Sequence, residues 1–369
     1  MYTFNDKSDR SITLRPEGTA GTVRAMLEHG LYNEGTPIKL SYITSCYRYE
    51  KPQAGRLREF HQFGLEVFGS ENPIADAELI NTAINLFDIL GLRKIKTEIN
   101  SIGCPECRAK YNAALRQYFS ENKDRLCSTC LERLKKNPMR IIDCKNPECK
   151  EVSKDAPKIL DYICNDCMDH FSKVKMYLNA LDVDYVVNPD IVRGLDYYTR
   201  TVFEFVSDDF GTQSVIGGGG RYDGLVEELS SKSMPALGLG IGIERLLMLV
   251  EKQGISIPCP YECILYVASM DEASNIKAMH IVNQVRQAGL IAEFDISGKS
   301  LKAQMKYADK IGAVYSIVIG ENEIKSQTAV IKNMATGEKY NIDISDKFFD
   351  EFMAIYFEHE NKDIIENLS

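Results

Sequence analysis

The chain is 369 residues long, 44% hydrophobic and 26% charged, with a formal net charge of −9. That is enough for two or three domains with sizeable cores, in a composition ordinary for a soluble globular protein. No apolar run approaches the ~18 residues of a membrane helix and no secretory pattern opens the chain, which places it in the cytoplasm, while the acidic balance argues against generic adhesion to nucleic acid and leaves a specific contact through a local basic surface open.

MYTFNDKSDRSITLRPEG begins mid-strand, without cap or polar lead-in, and residues 1–15 read as a hairpin. The chain is therefore expected to be a fragment or to start at an internal Met. Residues 19–32 read as a helix with Val23, Met26, Leu27 and Leu31 on one stripe. Residues 38–69 alternate as two strands around a nine-residue loop, 51–59, and 74–91 form an amphipathic helix stopped by Gly91. A strand near 94–100 leads into a segment, 104–170, that holds Cys104, Cys107, Cys127, Cys130, Cys144, Cys149, Cys164 and Cys167 as four close pairs. Residues 183–206 and 212–217 are strand-like, 222–230 helical, and a further helix starts near Gly242. After a linker at 255–262, strands and helices alternate, which predicts a small α/β domain with a mostly parallel sheet. The earlier part predicts an antiparallel α+β domain.

Four stretches put polar groups where a sheet should be apolar. In TLRPEGTAGTVR, Glu17 precedes a helix start that Thr19 can cap, among free backbone N–H groups; a plain capped helix reads the same way. In the hairpin, Arg48 and Glu50 fall on one face of the first strand and Gln62, Gly64 and Glu66 on one face of the second. A strand arginine offers a rigid fork for phosphate or carboxylate, and Lys51, Arg56 and Arg58 make the loop basic. A solvated face with salt bridges is the alternative, and Gly64 weakens it, since a glycine inside a strand often marks close approach of a ligand. In VRGLDYYTRTVFEF, Arg193, Asp196, Tyr197, Tyr198, Arg200 and Glu204 suit a pocket for a polar, partly aromatic ligand. In SVIGGGGRYDGL and ALGLGIGIERLL, glycines remove side-chain bulk beside Arg245, as for a planar base stacked on bare sheet; tight sheet-to-helix packing is the alternative. No acidic residue follows GLGIGIER at the spacing of a dinucleotide fingerprint. Together these suggest a nucleotide lying on an antiparallel sheet, with arginines for its phosphates and carboxylates for a cationic co-substrate.

CYRYEKPQAGRLREFHQFGLE resembles motif 2 of class II aminoacyl-tRNA synthetases and GLGIGIERLLM their motif 3, while LRPEGT, RGLDYYTRTVFEF and GGGGRYDGL resemble the histidyl-tRNA synthetase family in particular. The resemblance covers essentially the whole chain apart from the family's N-terminal portion with motif 1 and its dimer-forming helix, which is absent, so dimerisation and activity are not expected from resemblance alone. It implies a class II catalytic domain over 1–103 and 171–254, a Cys-rich inserted domain over 104–170, and an anticodon-binding-like α/β domain over 260–369. It implies an ATP-dependent ligase that forms histidyl-adenylate and passes histidine to the 3′ end of tRNA(His), with Mg²⁺; the full-length members of the family are homodimers. By position, Arg48 and Arg193 act on the α-phosphate, Arg48, Glu50, Arg56 and Arg245 bind ATP, Glu17, Thr19, Gln62 and Glu66 hold the ammonium group, and Tyr197, Tyr198 and Tyr222 surround the imidazole. The alternative is a non-catalytic, histidine-sensing regulatory relative on the same fold, though such relatives typically lose the activation residues and the C-terminal domain. The eight cysteines can supply two Cys₄ tetrahedra for Zn²⁺, or remain reduced thiols in a helical insert. Segment 104–170 carries 13 Lys+Arg against 11 Asp+Glu, compatible with an RNA contact.

Overall fold

The computed structural model describes residues 1–51, 55–193, 195–209, 215–257 and 263–366, with side chains to residue 358. Its chain divides into two compact units, Met1–Ser256 and Ile257–Ser369.

The first unit opens with a small antiparallel hairpin, β1 (Thr3–Asn5) and β2 (Ser11–Thr13), all of whose strand residues are exposed. Helix α1 (Thr19–Glu28) follows, then β3 (Ile38–Tyr47) and β4 (Glu59–Phe68). Helix α2 (Pro73–Ile89) starts on an Asn72 side-chain cap with proline in its first turn, and the chain turns out of it at Gly91, φ +74°. Strand β5 (Ile95–Ser101) leads into the inserted helices α3 (Pro105–Glu121), α4 (Ser128–Lys136) and α5 (Pro147–Lys154), and α6 (Asn165–Ala180) returns to the sheet. Then come β6 (Tyr185–Val187), β7 (Thr199–Ser207), β8 (Val215–Arg221), α7 (Leu225–Ser230), β9 (Ala236–Gly242) and α8 (Ile243–Lys252).

The seven strands from β3 to β9 form one sheet in the order β3-β4-β9-β8-β7-β5-β6, antiparallel throughout except for the β5–β6 pair. Alternation gives its two faces opposite character. On one, Phe203, Phe205, Leu237, Leu239 and Ile241 are buried with Ala83 and Phe87 of α2, Phe171 and Val174 of α6 and Leu249 of α8. On the other, a register row runs Glu98, Glu204, Gly218, Gly240, Gly64, Tyr42, so three adjacent strands present bare backbone at its centre. A second core joins the insertion to the catalytic part: Tyr111, Cys130, Met139, Ile141 and Cys149 lie in one cluster with Val23, Met26, Tyr198 and Tyr222.

Several expectations need correction. Strand β3 ends at Tyr47, so Arg48 and Glu50 lie in the turn beyond it: the Arg48 N–H still bonds Arg58 O across the hairpin, but the ladder has ended. Residues 183–206 are not one strand; the polar, glycine-containing run between β6 and β7 forms a connection. Positions 52–54 of the basic loop, 212–214 of the strand near 215, and 258–262 of the linker lie outside the described residues.

The second unit contains β10 (Leu265–Ser269), α9 (Glu272–Gln287), β11 (Ala292–Phe294), α10 (Leu301–Lys310), β12 (Tyr315–Ile319), α11 (Glu321–Ser326), β13 (Thr328–Asn333), β14 (Lys339–Asp343) and α12 (Phe348–Glu366). Its sheet order is β11-β10-β12-β13-β14. The first three strands are parallel, as alternation with helices predicts, but β13 and β14 add an antiparallel hairpin, so the sheet is mixed rather than mostly parallel.

Beneath the catalytic face sits a buried ion pair. Arg221 is fully buried; its Nη2 lies 2.5 Å from Asp76 Oδ2, its Nη1 donates to Ser70 O at 2.6 Å, and His170 Nε2 stands 3.4 Å from the same carboxylate. Burial opposes the Asp76 charge, yet His170 and Arg221 hold its carboxyl below the usual range. Removing one partner leaves the other charge uncompensated. Arg221→Leu should therefore destabilise the first unit by about 3–5 kcal/mol in urea unfolding, and adding Asp76→Leu should recover part of it; an Arg221→Leu midpoint equal to the parent's would remove this assignment.

Candidate active site

The bare centre of the sheet floors a cavity of about 510 Å³. From the α1 side it is lined by Glu17 and Thr19, and from the hairpin by Arg48, Glu50, Arg56 and Gln62. Arg193, Tyr197 and Tyr198 line it from the loop before β7, and Arg245 from the first turn of α8. Of the residues given roles in the site, Glu66 and Tyr222 lie outside this lining, one layer deeper and hydrogen-bonded to each other; Asp196 and Arg200, expected in the same pocket, do not line it either, Asp196 being exposed and Arg200 Nη1 standing 3.4 Å from His170 Nδ1.

Glu66 is the centre of the deep end. It is 1% exposed. Thr19 Oγ1 donates to its Oε1 at 2.7 Å and Tyr42 Oη to the same oxygen at 3.2 Å, while Tyr222 Oη donates to Oε2. Burial pushes the Glu66 carboxyl up to about 8, against the pull of these three hydroxyls. Thr19 is thus spent on Glu66 rather than on capping α1. Gly18 is the cap residue, and the Glu17 carboxylate accepts the N–H groups of Thr19 at 2.5 Å and Ala20 at 3.2 Å. Gln62 Oε1 accepts the Gly18 N–H at 2.8 Å and so ties the helix start to β4.

The glycines serve side chains of this protein. A methyl group at Gly64 would overlap the Tyr42 ring, one at Gly238 the Glu66 carboxylate, and one at Gly240 the Gln62 amide. The close approach read at Gly64 is therefore made by Tyr42, and the strip beside β9 is roofed in part by Glu66 and Gln62. Burial and the Glu66 charge keep the Tyr42 hydroxyl protonated far above its ordinary range. Tyr197 packs on Tyr198 with ring centroids 4.8 Å apart and on Tyr222 at 5.6 Å, giving an aromatic wall above the carboxyl.

The cationic end is arranged differently. Arg193 Nη1 donates to Glu204 Oε1 at 2.5 Å, its guanidinium lies 5.5 Å from the Tyr198 ring centroid, and its Nε is buried without a partner among the described residues. Arg48 donates from Nε to Pro16 O at 3.0 Å and rests 4.8 Å from the Phe60 centroid. Among the described residues it has no carboxylate partner. Arg245 donates to the carbonyls of Val215 and, at 2.6 Å, Gly55; Arg56 Nε stands 3.4 Å from Glu50 Oε2. Fixed cations at one end and a buried carboxyl with tyrosines at the other suit a molecule carrying phosphates joined to one carrying an ammonium and a polar ring.

Four contributors escaped the sequence reading as site residues, whereas Glu204 was read as one and lines the cavity. Tyr42 had no sequence signal, because its register opposite Gly64 is set only in the folded sheet. Glu244 was visible as the residue before Arg245; its carboxylate accepts the His61 N–H at 2.9 Å. Arg140 and Asp143 reach the cavity from the insertion, and no local pattern marks them.

The cysteines assemble as two nested tetrads, outer pairs with outer and inner with inner. Cys104, Cys107, Cys164 and Cys167 form one, Cys127, Cys130, Cys144 and Cys149 the other, with all sulfurs of a tetrad within 4.8 Å of one another. The Cys104–Cys107 and Cys127–Cys144 sulfurs are 3.4 and 3.9 Å apart, near the about 3.8 Å edge of a tetrahedron with Zn–S bonds of about 2.3 Å. Cys127 and Cys164 sit at helix starts, where the backbone N–H groups of Cys130 and Cys167 draw each thiol down to about 7.

The antiparallel sheet with its glycine floor, the arginine in the hairpin and the arginine opening the helix after β9 define the catalytic domain of a class II aminoacyl-tRNA synthetase. The family model described as Histidyl-tRNA synthetase matches residues 1–246, and that described as Anticodon binding domain matches 263–350. The chain belongs to the histidyl-tRNA synthetase family. It is 52% identical over 345 residues to a histidine–tRNA ligase of Clostridium perfringens, covering 93% of this chain and 82% of that protein. A histidine–tRNA ligase of Caldanaerobacter subterraneus is likewise 52% identical over 342 residues, with 93% and 82% coverage. Among solved structures, apo histidyl-tRNA synthetase of S. aureus matches with a TM-score of 0.80 and 38% identity, over 95% of this chain and 86% of that one.

The Glu66 carboxyl makes stability depend on pH. Folded, it titrates near 8, against an ordinary 4.5. Between those values the folded state binds more proton than the unfolded one, so its contribution is full below about 4.5 and is lost as pH rises through about 8. Glu66→Gln removes the titration, and its urea midpoint should fall less between pH 5 and 8 than the parent's. Equal slopes would assign the titration elsewhere.

Proposed function

We propose that the chain is a histidine–tRNA ligase, which activates L-histidine with ATP and transfers it to the 3′ end of tRNA(His). The observation that carries this is one cavity holding Arg48, Arg193 and Arg245 above a sheet whose deep end is Glu66, Tyr197 and Tyr222. In the first step a histidine carboxylate oxygen bonds to the α-phosphorus and the bond to the β-phosphate oxygen breaks, giving histidyl-adenylate and pyrophosphate. Anions converge, so fixed positive charge lowers the barrier without a covalent enzyme intermediate. Arg48 and Arg193 take the α-phosphate, Arg245 the γ-phosphate, and Glu50 with Arg56 the adenine end. Arg193, held by Glu204, needs only to exchange one carboxylate partner for the phosphate.

Glu66, Glu17, Thr19 and Gln62 receive the ammonium group; at Glu66 the cation replaces the proton that burial retains. Tyr197, Tyr198 and Tyr222 enclose the imidazole, where buried polar groups reject side chains that cannot satisfy them. Mg²⁺, when bound with ATP, neutralises phosphate charge, and the carboxylates of the cavity are hard oxygen donors that suit it. A cytoplasmic setting suits eight cysteines that carry no disulfide; no helix among the described residues is long and apolar enough to cross a membrane.

Both tetrads hold structural zinc in this reading, four thiolates closing each shell. The protein acts as a homodimer through the edge of its sheet, where Ile43 of β3 is 68% exposed and Phe4 of the neighbouring hairpin 51% exposed.

Two measurements test the proposal. ATP–pyrophosphate exchange with each of the twenty amino acids should proceed with histidine alone, and Arg193→Ala should lower it by at least about a hundredfold while ATP and histidine still bind. Exchange with another amino acid would overturn the specificity, and full exchange in Arg193→Ala its role. Native mass spectrometry should show two 41.6 kDa chains with two zinc ions each; zinc-free protein with titratable thiols would remove the metal, and a monomer the dimer.

A further inference from the structure

The insertion touches the catalytic part in a way that carrying RNA does not require. Arg140 and Asp143 line the cavity itself. They belong to the turn Pro138–Ile141 and the residues after it, and Met139 and Ile141 of that turn are buried in the core that also holds Tyr198 and Tyr222.

Two donors from the insertion converge on one residue of the loop that carries Arg193, Tyr197 and Tyr198. Asn137 Nδ2 donates to Asp196 Oδ1 at 2.9 Å, and Arg108 Nη1 donates to the Asp196 carbonyl at 3.0 Å. Asn137 Oδ1 is buried without a partner, so the bond to Asp196 is the one this amide makes among the described residues. Each donor is anchored by a tetrad. Arg108 directly follows Cys107 in α3. The turn after Asn137 is closed by the Cys144 N–H on Ile141 O at 3.0 Å and by Arg133 Nη1 on Arg140 O at 2.9 Å. Asp196 itself is exposed, so apolar packing does not fix it.

We infer that the insertion takes part in amino-acid activation itself: Asn137 and Arg108 are positioning residues that pin Asp196 and thereby aim Arg193 and Tyr197 into the cavity. This rests on the reading of the cavity as the adenylate-forming site. The insertion then matters in a half-reaction that contains no tRNA.

Histidine-dependent exchange without tRNA is the test, run first on the parent, whose silence would remove the underlying reading rather than this inference alone. Asn137→Ala and Arg108→Met should each lower kcat about fivefold, the loss of one net hydrogen bond, with KM for ATP within about twofold. The double variant should fall short of the product of the two, because both act through Asp196, and Arg108→Lys should recover part of the rate. Melting temperature and zinc content should stay at parental values. Should Arg108→Met lose its zinc, Asp196→Ser carries the test from the loop side, removing the Asn137 contact without altering the insertion. Unchanged exchange in the folded variants overturns the inference. So does a loss confined to transfer onto tRNA.

Discussion

A carboxyl group with almost no access to water must be given hydrogen bonds, and the architecture of the catalytic unit follows from doing this for Glu66. Three hydroxyls reach it from three separate elements: Thr19 at the start of α1, Tyr42 on β3 and Tyr222 after β8. Each needs room. Gly238 leaves the space in which the carboxylate lies, and Gly64 the space for the Tyr42 ring. The Thr19 hydroxyl, once given to Glu66, leaves the start of α1 without its own cap, and Glu17 supplies a carboxylate instead. The buried acid thus dictates the glycine floor, the aromatic wall and the capping of the first helix.

The same sheet keeps opposite electrostatic problems apart. At the deep end burial pushes up the titration of a carboxyl that three hydroxyls hold in place. At the outer end each arginine rests on partners of this protein: carbonyls for Arg245, a ring face and a carbonyl for Arg48, one carboxylate for Arg193. Such partners fix the geometry of the positive charge that faces the cavity.

The sequence shows local order well and convergence poorly. Helix α2, with Gly91 after it, was readable because periodicity and a glycine stop are local signals. So was the alternation of glycine with leucine and isoleucine in β9, whose apolar positions are buried as the pattern requires. The arginines and tyrosines of the site could be named from motif resemblance. What occupies the glycine spaces could not, because Tyr42 and Glu66 come from strands whose register only the folded sheet fixes. Arg48 and Glu50 looked like strand residues since alternation does not announce where a ladder stops. The hairpin β13–β14 was missed for a related reason: period-two polarity on exposed strands is a weak signal, whereas the buried β10 is unmistakable. Arg140, Asp143 and Asn137 had no signal at all, being placed by the packing of an entire inserted unit.

The nesting of the tetrads has an evolutionary side. Entry and exit of the insertion meet at Cys104, Cys107, Cys164 and Cys167, with the inner tetrad folded inside that closure. A segment whose ends meet at its base adds one crossing to the sheet, and the entropy of closing such a loop grows only with the logarithm of its length. Residues beyond that closure can therefore be gained or lost with little strain reaching β5 or α6, provided they lie outside the core that Tyr111, Met139 and Ile141 share with Val23, Tyr198 and Tyr222. That core, Arg140 and Asp143 at the cavity, and Arg108 and Asn137 on Asp196 mark the part of the appendage that is not free to change.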